Sequence, residues 1–333
     1  MRAALVGRTI VALATVGVSL GVLTVSLPAQ ELRTIRLNSF GAPRLVTQAV
    51  DLGFMERRGI RIESSTTQES ERQAQALLDG QYDITSSDAD NYVHWSVDRG
   101  ADFVIFMVAE GTVNNQFYVT PEIQTFEDLR GKTIAVDSAF SGQSSVLRLV
   151  LRRNGLEIDR DYTFLPVGSS AVRAETVREG RAVGANLNQE AAESEDGRAA
   201  GLRLFARGSD YINIYPSGPM GTTRRWAAAN PALLLDFIAA IIDTQEFLLD
   251  PENASAAAAS IARTDRADAA RAQQTYRQIA SSIGTLTPEE QVRDDMIQVI
   301  LDLRADIGLL SRPTPPTSDF VFPEWYALAL RMR

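Results

Sequence analysis

The chain has 333 residues, which is enough for about two domains with sizeable hydrophobic cores. It contains no cysteine and a single histidine, so disulfides, thiolate metal sites and zinc sites with several histidines are excluded. The formal net charge of −9 argues against a nucleic-acid-binding surface, so no nucleic-acid partner is expected.

The first 29 residues have the pattern of a secretory signal peptide. Arg2 and Arg8 precede an uncharged apolar run over residues 9–27, and the small residue Ala29 follows it. We predict that residues 1–29 are a signal peptide cleaved after Ala29, which places the mature chain in the periplasm. An uncleaved membrane anchor is the alternative, because the apolar run is long for a signal core.

Short strand-like runs then alternate with helical runs along the chain. The predicted strands are 34–40, 60–65, 82–87, 102–110, 132–138, 162–167, 181–187 and 202–208. The predicted helices between them are 43–59, 70–80, 88–100, 141–154 and 170–180. From residue 226 onward the pattern is nearly all helical. The alternation predicts two α/β units with mainly parallel sheets, followed by a helical C-terminal tail.

Two segments, 117–131 and 211–221, are the candidate connections between the two units. Two crossings mean that the second unit is inserted into the first, so the helical tail would pack back on the first unit. The predicted domains are residues 30–118 for the first part of lobe 1, 119–215 for lobe 2, and 216–333 for the second part of lobe 1.

Four segments carry a resemblance to a known family. They are "AVDLGFMERRGIRIE", "QALLDGQYDIT", "TFEDLRGKTIAVDSAFSG" and "REGRAVGANLNQE". In this order they resemble the periplasmic solute-binding proteins of the nitrate/sulfonate/taurine ABC importer type, a group that includes binders of thiamine-pyrimidine precursors. The chain departs from the family pattern at Gly184, where an acid is usual, and at "NLNQE", where Trp-Glu-Pro or Asn-Pro is usual. These departures leave the ligand open.

The resemblance implies an α/β fold of the two-lobe type II periplasmic binding protein class. It has two parallel or mixed sheets with flanking helices and a helical C-terminal tail. It also implies capture of a small organic solute between the lobes and delivery to ABC permease subunits in the inner membrane. We expect a monomer without enzymatic activity and without a cofactor or metal. A sulfonate, a carboxylate, a zwitterion or a pyrimidine-like compound all stay open as the solute.

Ligands of open α/β sheets bind beyond the carboxyl ends of the strands, and these ends are small and polar here. We predict no catalytic or metal-binding residue. The predicted ligand-binding residues are Ser39, Phe40, Gly41, Thr67, Ser87, Asp88 and Asn91 from lobe 1, and Ser138, Phe140, Ser141, Gly142, Gln143, Asn186, Asn188 and Glu190 from lobe 2.

The segment "DSAFSGQSS" (137–145) carries the central expectation. Its serines and Gly142 stand where a helix begins, so they either cap that helix or offer bare N–H groups and hydroxyls to an anionic group. We favour ligand binding because capping needs only one such residue. For Asp88 we favour helix capping over acceptance of a ligand amine. Phe40 and Phe140 are predicted to clamp the ligand, with packing under their own loops as the alternative.

Two other functions remain alternatives. A pyrimidine-synthase relative uses the same fold, but its chemistry requires a cysteine-rich motif and a histidine, and this chain has no cysteine. A secreted binding partner of a two-component sensor would share the same fold and site.

Overall fold

The computed structural model of the chain describes residues 31–108, 116–216, 218–283 and 293–333. The predicted signal peptide, residues 1–29, lies outside the described residues. The strands are β1 (Arg33–Ser39), β2 (Ile60–Thr66), β3 (Ile84–Ser86), β4 (Phe103–Met107), β5 (Gln116–Val119), β6 (Lys132–Val136), β7 (Tyr162–Pro166), β8 (Gly184–Leu187), β9 (Arg203–Arg207) and β10 (Met220–Thr223).

Helices flank these strands and make up most of the chain after β10. They are α1 (Arg44–Asp51), α2 (Phe54–Arg57), α3 (Ser70–Leu78), α4 (Ala89–Arg99), α5 (Gly142–Arg153), α6 (Ser170–Arg178), α7 (Gln189–Ala192), α8 (Glu195–Ala199), α9 (Arg224–Ala229), α10 (Pro231–Leu249), α11 (Ala254–Asp265), α12 (Ala269–Ile283), α13 (Asp294–Asp306) and α14 (Pro323–Arg331). Within the described ranges, no helix combines the length and the apolar character needed to cross a bilayer.

The strands form two five-stranded sheets. The first sheet has the order β2-β1-β3-β10-β4, and the second has the order β7-β6-β8-β5-β9. In the first sheet β1 runs parallel to β2 and β3, whereas β10 is antiparallel to both of its neighbours. In the second sheet β6 runs parallel to β7 and β8, whereas β5 is antiparallel to β8 and β9. Both sheets are therefore mixed, each with antiparallel strands where the chain crosses.

The chain enters the second sheet between β4 and β5 and returns to the first between β9 and β10. This order of strands is the one that the predicted insertion of one unit into the other requires. The predicted crossing over 117–131 is wrong in its first residues, because β5 pairs within the second sheet. We propose that the first lobe boundary precedes residue 116 instead of lying at 118/119. The second boundary, 215/216, stays a prediction and lies between β9 and β10.

The helical C-terminal region supplies much of the first core. Pro231 occupies the first turn of α10, where a missing N–H costs no helical hydrogen bond. The apolar side chains of α10 are buried together with Ile35 and Leu37 of β1, while Arg36 between them points outward. The tail thus covers the first sheet, because an apolar helix needs a partner surface.

Helix α5 contributes to both lobes. Its residues Val146 and Leu149 are buried in a cluster with α4 and α13 of lobe 1. Leu147 and Leu151, on another face of the same helix, are buried in the core of the second sheet. Because α5 packs on both sides, it joins the two lobes along one edge and fixes where its N-terminus lies.

Candidate functional site

A cavity of about 650 Å³ lies where the strand ends of the two sheets face each other. Its size is within the range of small-molecule sites, roughly 300–1,000 Å³. Its lining comes from both lobes and consists of Ser39, Phe40, Gly41, Ala42, Pro43, Thr67, Gln68, Ser86, Ser87, Asp88, Asn91, Asp137, Gln143, Ser169, Ser170, Ala171, Arg173, Asn188, Glu190, Ala191, Ser194 and Gly218.

Many of the predicted site residues meet at this cavity. Those in the lining are Ser39, Phe40, Gly41, Thr67, Ser87, Asp88, Asn91, Gln143, Asn188 and Glu190. The predicted residues outside the lining are Ser138, Phe140, Ser141, Gly142 and Asn186. All but one of this second group belong to the serine-rich segment after β6. The predicted site therefore differs from the cavity lining mainly in that segment.

The hydroxyls of the serine-rich segment are used within the protein. Ser141 is the N-cap of α5: its Oγ accepts from the backbone N–H of Ser144 at 3.2 Å. The same hydroxyl donates to Asp137 Oδ1 at 2.5 Å. Ser144 Oγ in turn donates to the carbonyl of Ser138 at 2.5 Å. Ser141 therefore caps α5, and its hydroxyl proton is donated to Asp137.

Gly142 serves close packing between the lobes. Its backbone N–H donates to Asn91 Oδ1 of α4 at 3.0 Å, so this first N–H of α5 already has a partner. A Cβ built on Gly142 would lie 2.2 Å from Tyr215 Oη and 2.7 Å from Asp88 Cβ. Glycine is needed here because neighbouring protein atoms, and not a ligand, approach the backbone.

The two predicted aromatic clamps differ. Phe40 lines the cavity and is exposed. Phe140 lies outside the lining and stacks on His94 of α4, with ring centroids 5.3 Å apart. His94 in turn contacts Asp98 Oδ2 through Nδ1 at 2.5 Å. Of the two rings, Phe40 is therefore the one in the cavity lining.

The two asparagines at the end of β8, Asn186 and Asn188, also have different surroundings. Asn186 is buried and donates from Nδ2 to the carbonyl of Gln143 at 3.2 Å. Asn188 lines the cavity, and its Oδ1 accepts from the Ala191 N–H at 2.8 Å as the N-cap of α7. The side chain of Asn188 thus reaches the cavity while it holds the start of α7.

The side chain of Asp88 does not have the helix-capping contact that was expected for it. Asp88 occupies the N-cap position of α4, but its side chain makes no cap hydrogen bond, so the favoured capping interpretation is wrong. Burial, together with the nearby charges of Asp137 and Asp90, raises the pKa of Asp88 to about 7, although a hydrogen bond from Gln143 opposes the shift. The carboxyl group is therefore near its titration midpoint at neutral pH.

Arg173 lines the cavity although it was not among the predicted ligand-binding residues. It is buried; its Nη1 donates to the carbonyl of Gly168 at 2.8 Å and its Nη2 to Ser170 Oγ at 2.7 Å. Nη1 also lies 3.7 Å from Asp137 Oδ1. Burial lowers the pKa of the guanidinium. A signal existed in the sequence, because Arg173 stands in the first turn of a helix directly after a strand end.

Arg44, a basic residue soon after β1, lies outside the cavity lining. It lies on α1, and its Nη1 is 3.3 Å from Asp265 Oδ2 on the surface. Over the residues that the structure describes, no cluster of three or more histidine, aspartate or glutamate side chains is arranged to hold a metal ion. The polar part of the cavity lining thus consists of hydroxyls, amides, three acids and one guanidinium, beside apolar residues such as Phe40 and Pro43.

The comparisons with known proteins agree with this architecture. The family described as "ABC transporter, phosphonate, periplasmic substrate-binding protein" matches residues 52–274, more than half of the chain. The chain belongs to this family. No curated protein sequence matches the chain at a significant level.

Solved structures of binding proteins of ABC importers share the fold of this family member. The periplasmic nitrate-binding protein NrtA from Synechocystis superposes with a TM-score of 0.72 at 11% identity, covering 91% of this chain and 90% of that one. The alkanesulfonate-binding protein SsuA from Xanthomonas axonopodis, bound to MOPS, gives a TM-score of 0.66 at 18% identity, covering 87% and 98%.

An enzyme shares the fold as well. The desulfurization enzyme DSZB gives a TM-score of 0.58 at 14% identity, covering 90% of this chain and 100% of that one. At identities this low the likeness establishes the fold and leaves the ligand to be argued from the site. The periplasmic substrate-binding family nevertheless makes solute binding the established general role.

Proposed function

We propose that this protein captures a small organic solute between its lobes and delivers it to the permease subunits of an ABC importer. The observation that carries the proposal is the cavity of about 650 Å³, lined by strand ends of both sheets. A site shared by two lobes couples ligand binding to their closure, because the ligand completes contacts that neither lobe makes alone. A closed form then differs from the open one and can be recognised by a permease.

The proposal is tested by solute binding to the mature chain. A ligand present at a hundred times its dissociation constant stabilises the folded state by about 2.7 kcal/mol, which a thermal shift detects. A screen should include sulfonates, carboxylates, amines and pyrimidines, together with native mass spectrometry of any solute that co-purifies.

A cavity-blocking variant makes the screen specific. Gly41 lines the cavity and has open space around its Cβ position, so Gly41→Trp should fold and obstruct the site. Val50→Trp, at an exposed position of α1, is the matched control. Stabilisation that is lost in Gly41→Trp and kept in Val50→Trp supports binding in the cavity. Equal shifts in both variants would mean that solutes bind elsewhere.

The enzymatic alternative has weaker support. The likeness to DSZB favours it, but no cysteine is present and the single histidine, His94, lies outside the cavity lining. We propose that the chain is not an enzyme: a bound solute recovered after long incubation should be chemically unchanged by mass spectrometry. A changed solute would favour the enzyme.

Location and assembly complete the proposal. The mature protein should begin at Gln30, lie in the periplasm and be a monomer. Intact mass of the exported protein tests the cleavage, and light scattering of the purified protein tests the monomer. Permease and ATPase genes beside this gene would favour import over a role as a sensor partner.

A further inference from the structure

The balance of charge in the cavity lining differs from what a simple anion needs. Three acids, Asp88, Asp137 and Glu190, face one guanidinium, Arg173. That guanidinium already donates to a carbonyl and a hydroxyl and lies beside Asp137. The two terminal nitrogens of this guanidinium are therefore used by the protein, so the acids outweigh the positive charge that the lining offers.

Asp88 has the opposite character, because its charge is poorly compensated. Among the described residues no lysine, arginine or histidine nitrogen forms an ion pair with Asp88, whereas Asp137 receives hydroxyl donors from Ser141 and Ser70. An ionised carboxyl group that is buried without a counter-ion is costly, and a ligand that supplies the counter-ion recovers this cost.

We propose that the solute carries a protonated amine and that Asp88 holds this ammonium group from the lobe 1 side of the cavity. The assignment rests on the proposed function and names its substrate class. An ammonium group offers three hydrogen-bond donors and a positive charge. Among the described residues, no cationic group fills this role for Asp88. Asp137 and Glu190, in the same lining, add negative potential around it.

Arg173 gives independent support for a ligand that spans both lobes. Its Nε is buried and has no hydrogen-bond partner among the described residues, although the side chain lines the cavity. Buried donors in native proteins are nearly always paired, so this nitrogen calls for an acceptor. A solute with an amine at one end and an acceptor oxygen at the other would satisfy Asp88 and Arg173 together.

The assignment has a pH signature of known sign. An ammonium group binds the ionised form of Asp88, so its affinity should rise as pH increases from about 6 to 8, across the pKa of about 7. The charged and titratable groups facing Asp88 are Asp137, Asp90, Tyr92 and Tyr215. Burial raises the pKa of both phenols, so they stay neutral in this window. An oxyanion would prefer protonated Asp88 and show the opposite slope.

The test captures solutes from a cell extract on the immobilised mature protein and identifies them by mass spectrometry. Wild type is compared with Asp88→Asn and with Asp79→Asn, which removes the same charge at an exposed position outside the cavity lining. We expect amine-bearing solutes on wild type and Asp79→Asn, and at least a tenfold weaker retention on Asp88→Asn. Titration calorimetry of a captured solute at pH 6 and pH 8 should show tighter binding at pH 8.

The other outcomes separate this inference from the proposed function. Retention of an oxyanion without an amine, equally by wild type and Asp88→Asn, would overturn the amine assignment and leave solute capture intact. Retention of no solute by wild type would overturn the capture itself, and the amine assignment with it. Thermal unfolding of each variant without solute confirms that the substituted proteins are folded.

Discussion

Two acids at the start of α4 have opposite surroundings although they are two residues apart. Asp90 is fully buried and its Oδ1 accepts from Arg304 Nη1 of α13 at 2.7 Å. Asp88 faces the cavity and has no such partner among the described residues. The comparison shows that the start of one helix holds an acid with a counter-ion from the protein, Asp90, and an acid without one, Asp88; we propose that a ligand supplies the second counter-ion.

Removal of Arg304 should have the largest effect. Arg304→Met keeps most of the side-chain volume but leaves the carboxyl group of Asp90 buried without its counter-ion. We expect a loss of about 3–5 kcal/mol in the free energy of unfolding, measured by urea denaturation. Adding Asp90→Asn to this variant should restore a large part of the loss, because the unpaired charge is then gone. No restoration would show that Arg304 acts through packing.

Replacement of Asp88 should change stability in the other direction. A raised pKa in the folded state means that Asp88 contributes stability below about pH 4 that is lost as pH rises to about 7. Asp88→Asn does not lose this stability, so at pH 8 its free energy of unfolding should exceed that of wild type by about 2–4 kcal/mol.

The pH profile checks this explanation for Asp88. Denaturation at pH 4.5 and pH 8 should show a gain for Asp88→Asn that grows with pH, while Asp79→Asn follows wild type. A gain that is the same at both pH values would point to better helix capping by asparagine instead of relief of a buried charge.

Loss of the close packing between Gly142, Tyr215 and Asp88 should have the next largest effect on stability. Gly142→Ala places a methyl group against Tyr215 Oη and Asp88 Cβ. We expect about 1–3 kcal/mol of destabilisation in thermal or urea unfolding. Gly41→Ala, with open space at its Cβ position, is the control and should stay close to wild type. Equal effects in both variants would contradict the steric argument.

Loss of the helix cap at Ser141 should have the smallest effect. Ser141→Ala removes the acceptor for the Ser144 N–H and a donor to Asp137. A loss of about 1 kcal/mol is expected, in the usual range for N-caps. Solute affinity should change little, since Ser141 lies outside the cavity lining. A large loss of affinity with little loss of stability would restore Ser141 as a ligand contact.

Local pattern was enough to predict the outline of this fold. Period-two and helical runs predicted the strands β1 and β6 and the helices that follow them. The polar residues after β1 and β3, such as Ser39 and Ser87, were placed at the cavity by the rule that ligands bind at the carboxyl ends of strands. The short strand β10 was missed, because "MGTT" has no distinctive pattern in the sequence.

The sequence by itself determined the α/β alternation, the double crossing and the edge of the sheets where polar residues gather, because these depend on spacing along the chain. Tertiary structure alone decided which polar groups face the cavity. The N–H of Gly142 donates to Asn91 Oδ1 because α5 packs on α4, although the two residues are 51 positions apart in the chain. The same packing places Asp88 beside α5 without a counter-ion among the described residues. Hydrogen-bond partners so distant in sequence are set by packing, so no local pattern could separate the caps from the ligand contacts.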